Sequence, residues 1–357
     1  MRENRELSVQ NQPINETKEL RILIVRLSAL GDTALTLPLL FALRECHPVA
    51  YIGWVVGEGA APLLEGMPAL NRTHVLKNRD RNPIGLWRLA CELNAENYVL
   101  SIDAQGLAIS AMIPALARIK KRVGFASGHL EGREFSPMFY TTSVRPPDDL
   151  HYVSDRIISL FRGPNTAPPK QTSVTLPRNT NAENKMEQWC RDNKVTNKVM
   201  VFGIGAGWPT KIWSINEVRV LVEAAKKQGY TCILLWGPRE RNDIQLWMGV
   251  ERKGVLLAPP TDIPGMIALI RRSDRYAGPD SAPLHLASLL GKPTFSWFGA
   301  SDPSRCAPRG PLHTHVSRGP HNWRRRSMFK CGLQSLTGKD ALPVFERWLT
   351  ETTDVRA

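Results

Sequence analysis

The amino-acid sequence predicts an α/β protein built from two Rossmann-like units in tandem. Three observations carry this. The chain of 357 residues is longer than one hydrophobic core usually supports. Short β-branched runs alternate with segments of helical spacing, the pattern of parallel βαβ units. A proline-rich stretch then interrupts that alternation near the middle, and it restarts beyond.

In the first half the run Arg21 to Arg26 reads as a buried parallel strand. A helix over Asp32 to Cys46 follows, with further strands at Tyr51 to Val56, Thr73 to Leu76 and Tyr98 to Asp103. Residues 145–178 hold six prolines around one helical stretch, Leu150 to Phe161. The second half resumes with strands at Val199 to Ile204, Thr231 to Trp236, Gly254 to Leu257, Arg275 to Ala277 and Thr294 to Trp297. Ser214 and Glu217 are spaced as a capping box ahead of the next helix. Ser281, Pro283 and Gly291 frame a short helix on Leu284 to Leu290. The expected division is a polar tail at 1–19, a first domain at 20–165, a linker at 166–180 and a second domain at 181–357, whose last helix has room to return to the first.

Composition narrows the function classes. With 42% hydrophobic and 22% charged residues the chain is globular in character. No apolar run reaches the roughly 20 residues of a membrane span, and residues 1–19 lack the apolar core of an export signal. The six cysteines are scattered with no Cys-x-x-Cys pair, as in a protein of a reducing compartment. The 47 Lys and Arg against 33 Asp and Glu leave a net charge of +14, which favours anionic partners: nucleic acid, an acidic lipid leaflet or a phosphorylated substrate.

The candidate chemistry lies where strands end. Leu27 to Asp32 carries one glycine, Gly31, and one carboxylate from the first strand into a helix. A single glycine is too few for a dinucleotide fingerprint, so Asp32 is either a helix N-cap or a general base. Gly203-Ile-Gly205-Ala-Gly207 imitates such a fingerprint, but Trp208-Pro209 delays the helix, leaving close backbone approach to a ligand with Lys211 above it as a phosphate partner. Asp280-Ser281-Ala282 runs into a helix start, an anion site needing no metal, with His285 one turn away. Glu240 follows another strand, where a carboxylate accepts from ribose hydroxyls. His313, His315, Cys306, His321 and Cys331 sit at spacings that match no common zinc pattern. Trp323 to Arg326 forms a basic knot.

Together, Ile24 to Pro38, Ile102-Asp-Ala-Gln-Gly-Leu107, Arg133 to Tyr140, Lys211-Ile-Trp213, Asp280 to His285 and Phe298 to Pro303 resemble glycosyltransferase family 9, the lipopolysaccharide heptosyltransferases, and within it the heptosyltransferase I branch. The resemblance implies a GT-B fold with an acceptor-binding first domain and a second domain that holds ADP-heptose. It implies Asp32 as catalytic base, Lys211 on phosphate, Glu240 on ribose, and Asp280, Ser281, Ala282 and His285 in the donor site. Ser28, Gly31, Gln105 and Arg133 fall in its acceptor or cleft segments. The expected partners are the nucleotide-sugar donor, a lipid A–Kdo type acceptor and the anionic inner face of the cytoplasmic membrane, with no nucleic acid, no metal and no cofactor beyond the donor. The sequence departs from the family at Ala282, where a glycine is usual, and at Arg26, often lysine. Rival readings are a different sugar donor, a nucleotide-sugar epimerase or hydrolase, and a basic nucleic-acid-binding protein without catalysis.

Overall fold

The computed structural model describes residues 20–127, 132–162, 173–195, 198–237, 240, 254–319, 321 and 332–354. The tail at 1–19, residues 166–172 of the expected linker, Cys331 and the Trp323 to Arg326 knot lie outside them. The chain divides into two compact units, Met1–Pro177 and Arg178–Ala357.

The first unit is a parallel six-stranded sheet in the order β3-β2-β1-β4-β5-β6. Its strands are β1 Arg21–Val25, β2 Tyr51–Gly57, β3 Arg72–Leu76, β4 Leu100–Asp103, β5 Lys121–Phe125 and β6 Thr142–Val144. β1 lies at the centre with Ile24 beside Trp54 of β2 and Ile102 of β4, so it is buried on both faces and carries the uninterrupted apolar run that such strands need. The helices are α1 Leu30–Cys46, α2 Pro83–Ala95, α3 Ala108–Leu116 and α4 Val153–Arg162. α2 starts where Asn82 caps the Gly85 amide at 3.0 Å and Pro83 takes a position that needs no N–H. α4 packs on α1, with Ser154 Oγ donating to the Leu35 carbonyl at 2.7 Å.

The second unit repeats the plan in the order β12-β11-β10-β7-β8-β9. Its strands are β7 Val199–Gly203, β8 Thr231–Leu235, β9 Val255–Leu257, β10 Arg275–Pro279, β11 Thr294–Phe298 and β12 His313–Ser317. Helices α5 Thr180–Asp192 and α6 Ile215–Lys227 precede and follow β7, and among the described residues further helices span Ile263–Arg272, Ala282–Leu289, the single turn Pro303–Cys306 and Gly338–Asp354. The last of these, allowed by sequence to return to the first unit, lays Ala341, Phe345, Trp348 and Leu349 into the core of the second, against α6 and β12. Phe295 and Phe345 meet edge to face at 5.0 Å there.

Several boundaries differ from the sequence expectation. β5, β6 and β12 are strands that the apolar pattern did not mark. Residues 178–180, expected in the linker, open the second unit: Arg178 pairs with Glu183 at 2.7 Å and Asn179 caps α5 through the Ala182 amide. The Ser214–Glu217 capping box does not form, because Ser214 makes no side-chain cap and Glu217 Oε2 accepts the Gly338 amide at 2.5 Å, tying α6 to the last helix instead.

His313 and His315 are successive same-edge positions of β12 in environments of their own. Thr294 Oγ1 lies 2.9 Å from His313 Nδ1, and His315 meets the Phe298 ring edge-on at 5.7 Å. Among the described residues no group of three or more His, Cys, Asp or Glu is placed to hold a metal ion. Burial pushes the His313 imidazole down from 6.5 to about 4. The unfolded chain therefore takes up this proton near pH 6.5 and the folded chain only near 4. Stability should fall as pH drops through that window, by up to about 3 kcal/mol from this group, and be insensitive to it above. Urea unfolding of the wild type and of His313→Gln at the two ends of the window checks this: the difference between the proteins should shrink at the acid end.

Candidate active site

Both sheets reverse their strand order at one point, between β1 and β4 in the first unit and between β7 and β10 in the second. Ligands of open parallel sheets bind beyond the carboxyl ends of the strands at such points. The chain beyond β1, β4, β7 and β10 carries Asp32, Gln105, Lys211, Asp280 and His285, so the fold brings most of the sequence candidates to these two places.

In the first unit, β1 leaves the sheet at Val25 and α1 begins at Leu30. The N-cap position is Ala29, so Asp32 is not the cap; it stands in the first turn and returns its Oδ2 to the Ala29 amide at 3.2 Å. Arg26 pairs with the same oxygen at 2.8 Å. The Asp32 side chain is nevertheless 42% exposed. Arg26 is itself fixed, Nη1 donating to the Ala104 carbonyl at 2.5 Å.

Gln105, expected among the cleft residues, turns its side-chain carbonyl inward, where it accepts the Leu27 amide at 2.6 Å and the Ser28 amide at 3.3 Å. It thereby holds the loop that carries Asp32. The residue behind it, missed as a functional position, is Asp103. This buried carboxylate accepts from the Gln105 and Gly106 amides, from Ser110 Oγ at 2.9 Å and from Tyr140 OH at 2.7 Å. Burial raises its carboxyl above the usual range against the pull of those four donors. A lone aspartate at a strand end followed by Gln-Gly was the available signal. Ser28 and Arg133 are exposed, and the Arg133 amide donates to the Gly106 carbonyl at 3.0 Å. Gly31 lies in the first turn of α1.

In the second unit the central group is Asp280, buried just beyond β10. Lys211 Nζ donates to its Oδ2, and its Oδ1 lies 3.2 Å from His285 Nε2. Burial by itself would raise this carboxyl, but the Lys211 charge and then the His285 hydrogen bond and charge hold it well below the carboxylate range. Lys211 thus reaches Asp280 instead of lying unpaired over the glycine loop, and one His285 nitrogen faces Asp280 as well. An ammonium keeps further donors after one such bond. Ser281 is the N-cap of the Ala282–Leu289 helix; its hydroxyl donates back to the Pro279 carbonyl at 3.2 Å, leaving the cap to the backbone. The Ser281 and Ala282 amides stand outside the helical ladder, and Pro283 contributes none. Ala282 is in the helix and absent from the positive-φ residues, so an alanine fits where the family carries glycine. Cys306, close to this group, is buried and its thiol is pushed up, first by burial and then by the Asp280 charge.

Glu240 is buried beyond β8, its Oε2 accepting the Gly237 amide at 2.9 Å. It borders a cavity of about 630 Å³ with Ile204, Thr210 and Trp213. Two of the neighbouring glycines are required by side chains packed against them. A Cβ on Gly205 would stand 2.4 Å from Glu240 Cδ, and one on Gly203 would stand 2.0 Å from the Tyr276 hydroxyl. Gly203 and Gly205 of the false fingerprint therefore answer to packing, while Gly207 has open space.

A family model for glycosyltransferase family 9 (heptosyltransferase) matches residues 86–331, and the chain belongs to that family. Among curated proteins, lipopolysaccharide heptosyltransferase 1 of Pseudomonas aeruginosa is 29% identical over 83% of this chain and 83% of its own length. The solved family 9 protein of Veillonella parvula superposes with a TM-score of 0.82 at 19% identity, covering 93% of this chain and 98% of that one. Escherichia coli heptosyltransferase WaaC, solved with ADP, gives 0.68 at 23% identity over 93% and 99%. The fold is the GT-B fold, two Rossmann-like domains in one chain.

Replacing Gly205 by alanine should force Glu240 aside and cost about 1 to 3 kcal/mol in urea unfolding. Gly207→Ala, where an added Cβ has nothing within 4 Å, should stay within about 0.5 kcal/mol of wild type. Equal costs for the two would remove the packing explanation.

Proposed function

We propose that this family 9 glycosyltransferase moves a heptose from ADP-heptose to the Kdo region of the lipopolysaccharide inner core, in a single inverting displacement. The observation that carries the reading is Asp32: a carboxylate fixed by Arg26 and the Ala29 amide at the carboxyl end of the central strand, with its side chain 42% exposed. The names of the P. aeruginosa relative and of the ADP-bound E. coli structure supply the substrate class.

In this reading the acceptor hydroxyl gives its proton to Asp32 while its oxygen bonds to the anomeric carbon. The bond from that carbon to the diphosphate breaks, and ADP leaves with the electron pair. The charge on the leaving group is met by the remaining Lys211 donors, by the Ser281 and Ala282 amides and by the start of the Ala282–Leu289 helix. Asp280 and His285 hold Lys211 in place. Glu240 accepts from the ribose hydroxyls, and the cavity beside it gives the nucleoside an apolar neighbour. Ser28, Gly31 and Arg133 face the acceptor, with Gln105 fixing their loop. These groups supply proton transfer and anion stabilisation without calling on a metal, and turnover should survive EDTA. The acceptor is borne by the inner face of the cytoplasmic membrane, where the basic chain works as a peripheral protein.

Transfer assays with ADP-heptose and a Kdo–lipid A acceptor test this. Asp32→Ala should lower kcat by roughly 10²- to 10⁴-fold with ADP-heptose affinity intact. Undiminished turnover would remove Asp32 from the role of base. Lys211→Ala should weaken donor binding by roughly ten- to a hundredfold, measured by calorimetry with ADP. An unchanged affinity would separate Lys211 from the diphosphate.

A further inference from the structure

Among the described residues, every large apolar side chain left exposed belongs to the first unit. Four of them lie on segments beyond the carboxyl ends of its strands: Ile84 at 67%, Trp87 at 57%, Phe135 at 80% and Met138 at 80%. Ile84 and Trp87 open α2, which follows β3, and so sit at the carboxyl ends of the strands. Phe135 precedes and Met138 lies within the 3-10 turn Ser136–Phe139, which Ser136 Oγ fastens to the Gly106 carbonyl at 3.1 Å, beyond the carboxyl end of β4. α2 packs on α3 and α3 on that turn, so the two pairs belong to one layer of the unit.

α2 carries two stripes at helical spacing. Leu86, Leu89, Ala90 and Leu93 are buried; Ile84, Trp87, Arg88 and Cys91 face solvent. A helix that packs one apolar stripe into its own core and shows Ile84 and Trp87 to water beside a cation has a second surface to cover. The rim of that surface is basic. Lys77, Arg79 and Arg81 are exposed on the turn leading into α2, and Arg133 is exposed beside Phe135. The acids nearby are Glu58, which accepts the Asn78 amide, the half-buried Asp80, Glu92 on α2 beside His74, and Glu134, against Arg88 and the four cations just named. Cations outnumber them.

We infer that this end of the first unit is a membrane-docking face, with Ile84, Trp87, Phe135 and Met138 entering the interfacial layer of an anionic leaflet and the surrounding lysine and arginines resting on its headgroups. Aromatic and aliphatic side chains ringed by cations match that surface in both polarity and charge. The face shares the carboxyl end of the sheet with Asp32, so docking brings a lipid-borne acceptor to the end of the unit where the base stands. The inference rests on the reading of the acceptor as membrane-borne.

The test is sedimentation of the full chain with vesicles of phosphatidylethanolamine containing roughly one-third phosphatidylglycerol, and with vesicles of phosphatidylcholine alone. The wild type should partition onto the anionic vesicles and not the neutral ones. The double variants Ile84→Ser/Trp87→Ser and Phe135→Ser/Met138→Ser should each lose roughly tenfold or more in partition coefficient. Their thermal midpoint and ADP affinity should match wild type, which shows that both remain folded. Unchanged partition in both variants overturns the inference. So does a wild type that stays in the supernatant, including one that uses this face to form a dimer that the same substitutions dissolve. Transfer to a deacylated, soluble acceptor is measured alongside. Its absence in the wild type would count against the proposed activity while the vesicle result stands on its own, and its retention in variants that fail on vesicle-borne acceptor supports the docking role.

Discussion

A parallel strand can be followed by another only if the chain crosses a face of the sheet, and that constraint shapes this molecule. Every crossover returns the chain to the same end of the sheet, so all the loops that leave strands by their carboxyl ends gather along one edge. Where the crossovers change direction, at β1 and β4 and again at β7 and β10, two of those loops part and leave a recess between them. The working residues need no special machinery to be brought together. They stand on the loops that this geometry has already collected.

What the recesses add is control of buried charge. Asp280 has little contact with water, and an isolated carboxylate there would be costly. Lys211 and His285 both turn to it, one from a 3-10 turn beyond β7 and one from the helix that follows β10, so three groups from separate segments settle one another's position. Asp103 plays a comparable part in the first unit with neutral donors alone, and its carboxyl is shifted in the opposite direction. The same side chain at the same kind of strand end thus has two electrical characters, decided by whether its neighbours carry charge.

The sequence made the central strands plain because burial on both faces forces an apolar run, as in Ile22 to Val25 or Val199 to Phe202. It hid the edge strands for the converse reason. β5 begins with two cations, β6 has three residues, and β12 alternates His-Thr-His, which imitates metal ligands in a one-dimensional reading. Asp32, Lys211, Glu240 and the Asp280 turn were legible as candidates because they follow strands directly. Their partners were not, since Gln105 reaches back 78 residues to Leu27 and Glu217 reaches forward 121 to Gly338. No local spacing encodes such pairings. Gly205 shows the opposite error, a local pattern suggesting a ligand where the close neighbour is Glu240.

The Gln105 side chain has an implication for how such a chain can vary. One amide oxygen stitches the loop after β1 to the loop after β4, and Arg26 crosses in the other direction to the Ala104 carbonyl. Neither loop can gain or lose a residue alone without breaking both stitches. Segments 26–32 and 103–106 are therefore a single heritable module, although separate stretches of the gene encode them. A chimera joining the first strand of one relative to the fourth strand of another would keep its working geometry only by exchanging both together.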